Sequence, residues 1–353
     1  MNFQSYYILD VVSMANHLHD LTIVILSRGR ERILGKCLDF WNSNGIKTVV
    51  IHNSNHGIKQ KSKIDGSVYI ISNTSYAVRA GIAANLITTN FAIICNDDEL
   101  YIPSALEKMI MKLNENNELI SVGAQSLAVS KYGPLTTGSL IYRDMVSYSN
   151  LYENSLDRLM HHLDFDKNHI GAMFRMLRSG TMIDLLTALK MNDQISTPYI
   201  HENTSEILLA VYGKTLYLNE LYWIRNWQEP KVQHNNWDRK LYFHMWWEGL
   251  EFTEQKAKWL IIVSAFSLGR IKPEDFAEIL ERNYKLRKTK ELHEKKSSKK
   301  QTRFQLYYVK YLAKKYILHS NLPLSLDTEL ASLKLLGIQI DEKAIRKIVK
   351  ILI

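Results

Sequence analysis

Apolar and polar positions over the first hundred residues fall into blocks of two kinds. LTIVIL (21–26), KTVVIHNSN (47–55), SVYIISNTS (67–75) and FAIICN (91–96) are short β-rich apolar runs, and each passes into a polar end. Two longer blocks separate them. In SRGRERILGKCLDFWNSNG (27–45), Ile33, Leu34, Cys37, Leu38 and Trp41 recur at helical spacing, and Gly45 closes the block. YAVRAGIAANLITT (76–89) also reads as a helix. The predicted order is β-α-β-β-α-β. Such alternation specifies an α/β domain built on a mostly parallel sheet that is buried on both faces.

Beyond Pro103 the pattern predicts a helix over 104–116, a strand over 118–129 and a turn-rich connection over 133–142. Residues 155–190 read as mostly helical, with breaks near Asn168 and Ser179. TPYIHENTSEILLAVYGKTLYLNELYWIRNW (197–227) predicts a loop, a helix stopped at Gly213, and a strand. EPKVQHNNWDRK (229–240) looks like a boundary. After it, helical patterns alone run to the end, at 254–269, 273–295, 299–318, 327–336 and 342–352. The expected division is an α/β domain over 1–235 and an all-helical module over 236–353.

In an open α/β sheet, ligands sit outside the C-terminal ends of the strands. Four segments should meet there: Ser27–Arg30, Asn53–His56, Ser72–Ser75 and Asn96–Glu99. The last is a knot of like charge, Asp97, Asp98 and Glu99, with no basic residue beside it in the chain. Adjacent carboxylates repel, so something must offset them. One solution is a divalent cation, since Mg²⁺ or Mn²⁺ takes oxygen ligands. The other is the N-terminus of the following helix, whose dipole favours acids.

The order of these pieces resembles the GT-A glycosyltransferases of the family-2-like kind. The pieces that carry the likeness are LTIVILSRGRERILGKCLDFW, TVVIHNSN and YAVRAGIAANLITTNFAIICNDDE. It covers roughly residues 21–105 well and extends more weakly to about 228. It implies a Rossmann-like GT-A fold and a nucleotide-sugar donor. Ser27, Arg28, Arg30, Asn53 and Ser72 would line the donor site, with Arg79 and Asn85 on the second helix contacting the donor or bracing the acid loop. Asn96, Asp97, Asp98 and Glu99 match the DxD-type strand end, so Mn²⁺ or Mg²⁺ would be held by Asp97, Asp98 and Glu99. The first turn departs from many members: Arg28-Gly29-Arg30 stands where an Asn precedes the Arg.

The same resemblance implies inversion with a carboxylate base at the start of the helix before Gly213. Glu202 falls at that position, flanked by His201 and Asn203, and Glu206 is the fallback one turn on. A capping role for ENTSE is the plain alternative. Members often end the next strand with a His or Arg near the metal or diphosphate, which selects Arg225 and His234. Trp223 and Trp227 would suit an acceptor sugar's apolar face, although tryptophans are more often core.

Composition sharpens only parts of this picture. The 353 residues carry a net charge of +9, but the segment 281–315 holds thirteen Lys/Arg against three Glu, more than the whole excess. The Tyr-rich basic stretch that overlaps it, 301–320, suits a solvated bundle helix or an anionic membrane face, and no base-reading motif points to nucleic acid. Two cysteines, Cys37 and Cys95, exclude a disulfide framework, and the first twenty residues lack a signal-peptide pattern, so a cytoplasmic, peripheral-membrane setting is expected. His161, His162, Asp164, Asp166 and His169 follow no zinc spacing. The leading expectation is a metal-dependent transferase that moves a sugar to a surface glycan or glycolipid acceptor, acting alone or as a homo-oligomer. A sugar nucleotidyltransferase and a catalytically silent glycan-binding or scaffold protein remain open.

Overall fold

The computed structural model describes residues 17–54, 64–141, 148–164, 174–194, 198–227, 243–267, 269–272, 274–283 and 324–353. Their centre is a ten-stranded mixed sheet. Strands β1 (Leu21–Arg28), β2 (Lys47–Asn53), β3 (Val68–Ile71) and β4 (Phe91–Ile94) are parallel, in the order β3-β2-β1-β4. Helix α1 (Glu31–Ser43) links the first two strands, and α2 (Tyr76–Ala84) links the last two. The predicted β-α-β-β-α-β order is therefore present. The period-2 rule explains why it holds. Leu21, Ile23 and Ile25 of β1 enter one core, while Val24 and Leu26 enter the other.

Past β4 the sheet turns antiparallel. β5 (Glu99–Tyr101) and α3 (Pro103–Glu115) lead to β6 (Leu119–Tyr132), and β7 (Leu135–Ile141) pairs back on β6. The turn-rich connection expected over 133–142 is thus the second arm of a hairpin, with Gly133 at positive φ in its turn. Next come α4 (Ser155–Asp164), β8 (Met176–Arg178), α5 (Ser179–Met191), α6 (Pro198–Tyr212) and β9 (Lys214–Asn226). β8 inserts antiparallel between β4 and β6, and β9 pairs with both β5 and β6. Gly213 lies between α6 and β9 because the chain passes close to β6 there. A Cβ at this position would sit 2.6 Å from the Ile120 side chain.

Helices α7 (Phe243–Glu248) and α8 (Thr253–Phe266) and a helical run α9 (274–283) follow, then β10 (Leu324–Ser325), α10 (Leu326–Leu335) and α11 (Glu342–Leu352). The C-terminal region is not helical throughout. β10 pairs antiparallel with β7 at the sheet edge. Its two residues are too few to show as a strand pattern. Nor are the last helices separate from the sheet. Leu330, Leu333, Ile345, Ile348 and Leu352 join the core on the α1–α3 face, while α2, α5, α6 and α8 cover the other face. Within α11, residues 345, 348, 349 and 352 are buried, which is the i, i+3, i+4, i+7 stripe of an amphipathic helix. The expected 299–318 helix lies outside the described residues, as does the basic stretch beyond residue 283. No helix among the described residues is long and apolar enough to cross a membrane.

Ile348 is fully buried in the sheet's own core. Ile348→Ala should therefore cost about 2–5 kcal/mol and lower the denaturation midpoint of the sheet. Urea unfolding followed by tryptophan fluorescence checks this, and an unchanged midpoint would mean that the last helix does not share the core.

Candidate active site

Because β1, β2, β3 and β4 are parallel, the segments after them lie on one rim of the sheet. The acid loop forms where β4 ends. The Cys95 amide still donates to the Val24 carbonyl (2.9 Å), and the Glu99 amide then turns back to the Asn96 carbonyl (3.3 Å). Asp97 and Asp98 occupy the tip. Two buried thiols brace the turn from below. Cys37 Sγ donates to the Asp97 carbonyl (2.9 Å), and Cys95 Sγ donates to that of Glu99 (3.1 Å). Burial first pushes both thiols well up, followed by the neighbouring acids for Cys37 and by Cys37 and then the acids for Cys95. Neutral thiols that can donate are what this arrangement needs.

All three carboxylates are buried, with Asp97 at 1% and Glu99 at 0% exposure. Their charge is met by arginine. Arg30 Nη2 contacts Asp97 Oδ1, and Arg30 Nη1 donates to Asp98 Oδ2 at 2.8 Å. Arg225 stands opposite Glu99 in the β5–β9 register, with its Nε 3.1 Å from Glu99 Oε1. The arginines do not fully offset burial. Desolvation pushes Asp97 up to about 6 against the pull of Arg30 and Ser27, and pushes Glu99 up to about 7 against Arg225. Burial likewise opposes the Arg30 charge, but Asp97 and Asp98 hold it above its ordinary value.

A hydrogen-bonded shelf supports Asp97 from β1 and β2. Ser27 Oγ donates to Asp97 Oδ2 (2.5 Å). The hydroxyl hydrogen is then used, so the 3.1 Å contact with His52 Nδ1 requires the hydrogen on that ring nitrogen. His52 is fully buried, and its pKa is lowered chiefly by desolvation. Glu31 Oε1 lies 3.4 Å from its Nε2 and accepts from Ser54 Oγ at 2.5 Å. Sequence reasoning missed His52, Glu31 and the bracing cysteines. A histidine on an otherwise apolar strand was the one visible signal.

The remaining predicted residues divide. Arg79 is buried at 4% exposure, and its Nη1 donates to the Ser27 carbonyl at 2.5 Å, so it is no surface arginine. Its pKa is lowered by burial, with Arg28 nearby adding to this. Arg28 is exposed at the end of β1, beside Asn53 in register. Asn53 donates to the Thr74 carbonyl (3.1 Å), and Ser72 bonds Thr74 (2.8 Å), which ties the β2 end to the loop before α2. Asn85 is not brought in. It is the exposed C-cap of α2, about 13 Å along the helix from the end that faces the rim. His234 lies outside the described residues.

Glu202 lies within α6, not at its opening, because the helix starts at Pro198, a residue suited to the first turn. Thr204 and Ser205 do not cap. Their hydroxyls donate back to the Ile200 and His201 carbonyls at 2.6 and 3.0 Å. Glu202 has a pKa raised by burial and lowered in part by Arg225, and it raises Tyr76 in turn. Its charge is thus felt by Tyr76, and it feels in turn the same arginine that holds Glu99. Glu206 is committed elsewhere. Arg175 Nη2 donates to its Oε2 at 2.8 Å in a fully buried pair flanked by Tyr148 and Tyr217. Trp223 is core, stacked on Phe174 at 4.7 Å, whereas Trp227 is 53% exposed with the Arg225 guanidinium over its ring. His162 is held by the Tyr148 hydroxyl (2.9 Å), and Asp166 and His169 lie outside the described residues. Among the described residues, no group of three His, Cys, Asp or Glu side chains converges as metal ligands.

No family model and no curated protein matches this chain. Among solved structures, a crystal structure of S. aureus TarS has 12% identity over 58% of this chain, with a TM-score of 0.40. This chain spans only 36% of that one. The TarS 1–349 structure has 10% identity over 70% of this chain and 80% of its own, also with a TM-score of 0.40. The bifunctional IspDF from Campylobacter jejuni has 12% identity over 56% of this chain and 49% of its own, with a TM-score of 0.29.

A raised carboxylate pKa means that the native state keeps a proton which the unfolded chain has lost. The resulting stability is complete below the unfolded pKa, near 4, and is lost as pH rises toward about 7 for Glu99. His52, shifted downward, contributes with the opposite sign. The test is therefore the difference between wild type and Glu99→Gln. The stability of the variant relative to wild type should rise by a few kcal/mol between pH 4.5 and 7.5 (approximate limits), as read by chemical denaturation.

Proposed function

We propose that the protein is a glycosyltransferase of the GT-A kind, taking a nucleotide-sugar donor at the strand-end rim and passing the sugar, with inversion, to a glycan or glycolipid acceptor. One observation carries the reading. A buried acid loop and the half-buried carboxylate of Glu202 both feel the charge of one cation, Arg225, at the ligand-binding end of an α/β sheet. Structural acids seldom need such an arrangement, whereas a transfer site needs a base on one side and positive charge on the other.

The chemistry follows from these groups. The Glu202 carboxylate takes the proton of the acceptor hydroxyl, and burial makes it a stronger base than an exposed glutamate. The acceptor oxygen then bonds to the anomeric carbon, and the bond from that carbon to the phosphate oxygen breaks. The electron pair leaves on the nucleoside diphosphate. Arg28, exposed at the rim, is the cation best placed to offset that charge, beside Arg30 and Arg225, which the acids already engage. Glu206 is a poor base because its Oε2 accepts from the buried Arg175 guanidinium. Exposed Trp227, beside Arg225, suits the apolar face of an acceptor ring.

The expected Mn²⁺ or Mg²⁺ meets a poor fit. Arg30 already engages Asp97 and Asp98, and Arg225 engages Glu99. No step above runs through a metal. The same neutralised loop favours a second reading, a glycan- or nucleotide-binding protein without turnover. Membrane-surface placement rests on the basic segment 281–315 alone, and self-association is open to the same purified protein.

Nucleoside diphosphate release from a panel of nucleotide sugars, with and without Mn²⁺, decides among these readings. Glu202→Gln should lower kcat by about 10²–10⁴-fold with donor affinity by calorimetry unchanged. Glu206→Gln should act mainly by lowering thermal stability. Equal turnover by wild type and Glu202→Gln would remove Glu202 as the base. Binding without release would favour the second reading, and pyrophosphate release from a nucleoside triphosphate would favour a nucleotidyltransferase.

A further inference from the structure

The aspartate pair at the tip of the acid loop has four oxygens, and each already faces a donor. Asp97 Oδ2 takes the Ser27 hydroxyl at 2.5 Å, and Asp97 Oδ1 faces Arg30 Nη2. Asp98 Oδ2 takes Arg30 Nη1 at 2.8 Å, and Asp98 Oδ1 lies 3.4 Å from Arg30 Nη2. One guanidinium thus spans both carboxylates. A divalent ion needs those same lone pairs.

The backbone holds Arg30 in this place. Gly29 adopts a positive φ of 63°, a conformation that side-chain-bearing residues rarely take, and its amide donates to the Asn53 carbonyl at 3.2 Å. The chain reverses there, so that Arg28 faces solvent while Arg30 turns back to the acids. The Arg30 carbonyl then accepts the Ile33 and Leu34 amides at the start of α1, at 3.1 and 3.0 Å. The arginine is fixed at its root by a turn and a helix. Its side chain keeps 20% exposure at the rim, so the guanidinium can leave without unfolding either element.

We infer that Arg30 is the resident counter-cation of the Asp97–Asp98 pair, and that a divalent metal binds the free protein only by displacing its guanidinium. The protein carries its own positive charge at the place where a metal would bind. This goes beyond the transferase reading and stands apart from it, because metal binding is read with no donor present.

Titration with Mn²⁺ alone, with free ion measured by electron paramagnetic resonance, tests the inference in wild type, Arg30→Gln, Arg30→Lys and the double variant Arg30→Gln/Asp98→Asn. Arg30→Gln should bind Mn²⁺ at least about tenfold more tightly than wild type, because an unneutralised carboxylate pair attracts a cation strongly. Arg30→Lys should stay weak, and the double variant should lose the gain. Arg30→Gln binding no more tightly than wild type would overturn the inference, as would a gain that survives Asp98→Asn. If metal-free Arg30→Gln does not fold, recovery of its melting transition by Mn²⁺ supports the inference, and no recovery overturns it.

Discussion

Three carboxylates in a row, all buried, form the constraint on which the rest of this rim depends. An unpaired buried carboxylate is expensive, so each must be met by charge or by hydrogen. The protein draws that compensation from distant parts of the chain. Arg30 comes from the turn before α1, Ser27 from the end of β1, and Arg225 from the last third of β9. Satisfying the acid loop therefore pins together β1, α1, β4, β5 and β9. β8 joins the parallel and antiparallel halves of the sheet, and the loop ties them a second time. Arg225 pairs with Glu99, lies over the Trp227 ring and draws on Glu202 by its charge.

Much of the fold was legible in the sequence. LTIVIL and FAIICN are each apolar at all positions but one, which is the pattern of strands buried on both faces, and they are neighbours at the centre of the sheet. The helix before Gly213 was also legible, although its start was not. ENTSE has the composition of a cap, yet Pro198 opens the helix four residues before Glu202, and Thr204 and Ser205 bond back along it. Local composition lost there to a stronger positional signal. β10 was invisible because two residues cannot show a period. The inclusion of the last helices in the sheet's core could not be seen either, since an amphipathic stripe shows that a helix packs but not against what.

The site was legible by position and less so by partner. Strand ends in a parallel sheet converge on one rim whatever the residues are, so Ser27, Asn53, Ser72 and the acids could be grouped in advance. Which charges cancel could not. Arg30 and Asp98 are 68 residues apart, and Glu99 and Arg225 meet only through an antiparallel register set by β9. Asn85 failed for a geometric reason. It sits on the right helix but at the wrong end, and a one-dimensional pattern does not distinguish the two ends. The sequence posed the acids as a problem that a metal would solve, and in the fold arginine solves it first.

The most direct test of this account is a double-variant cycle on the Glu99–Arg225 pair, read as unfolding free energy by urea denaturation. Arg225→Gln alone leaves a buried carboxylate unpaired and should cost about 3–5 kcal/mol. Adding Glu99→Gln should recover a large part of that loss, giving a coupling above about 1 kcal/mol. Losses that simply add, with the double variant no more stable than Arg225→Gln, would contradict the claim that arginine compensation holds the acid loop and the sheet together.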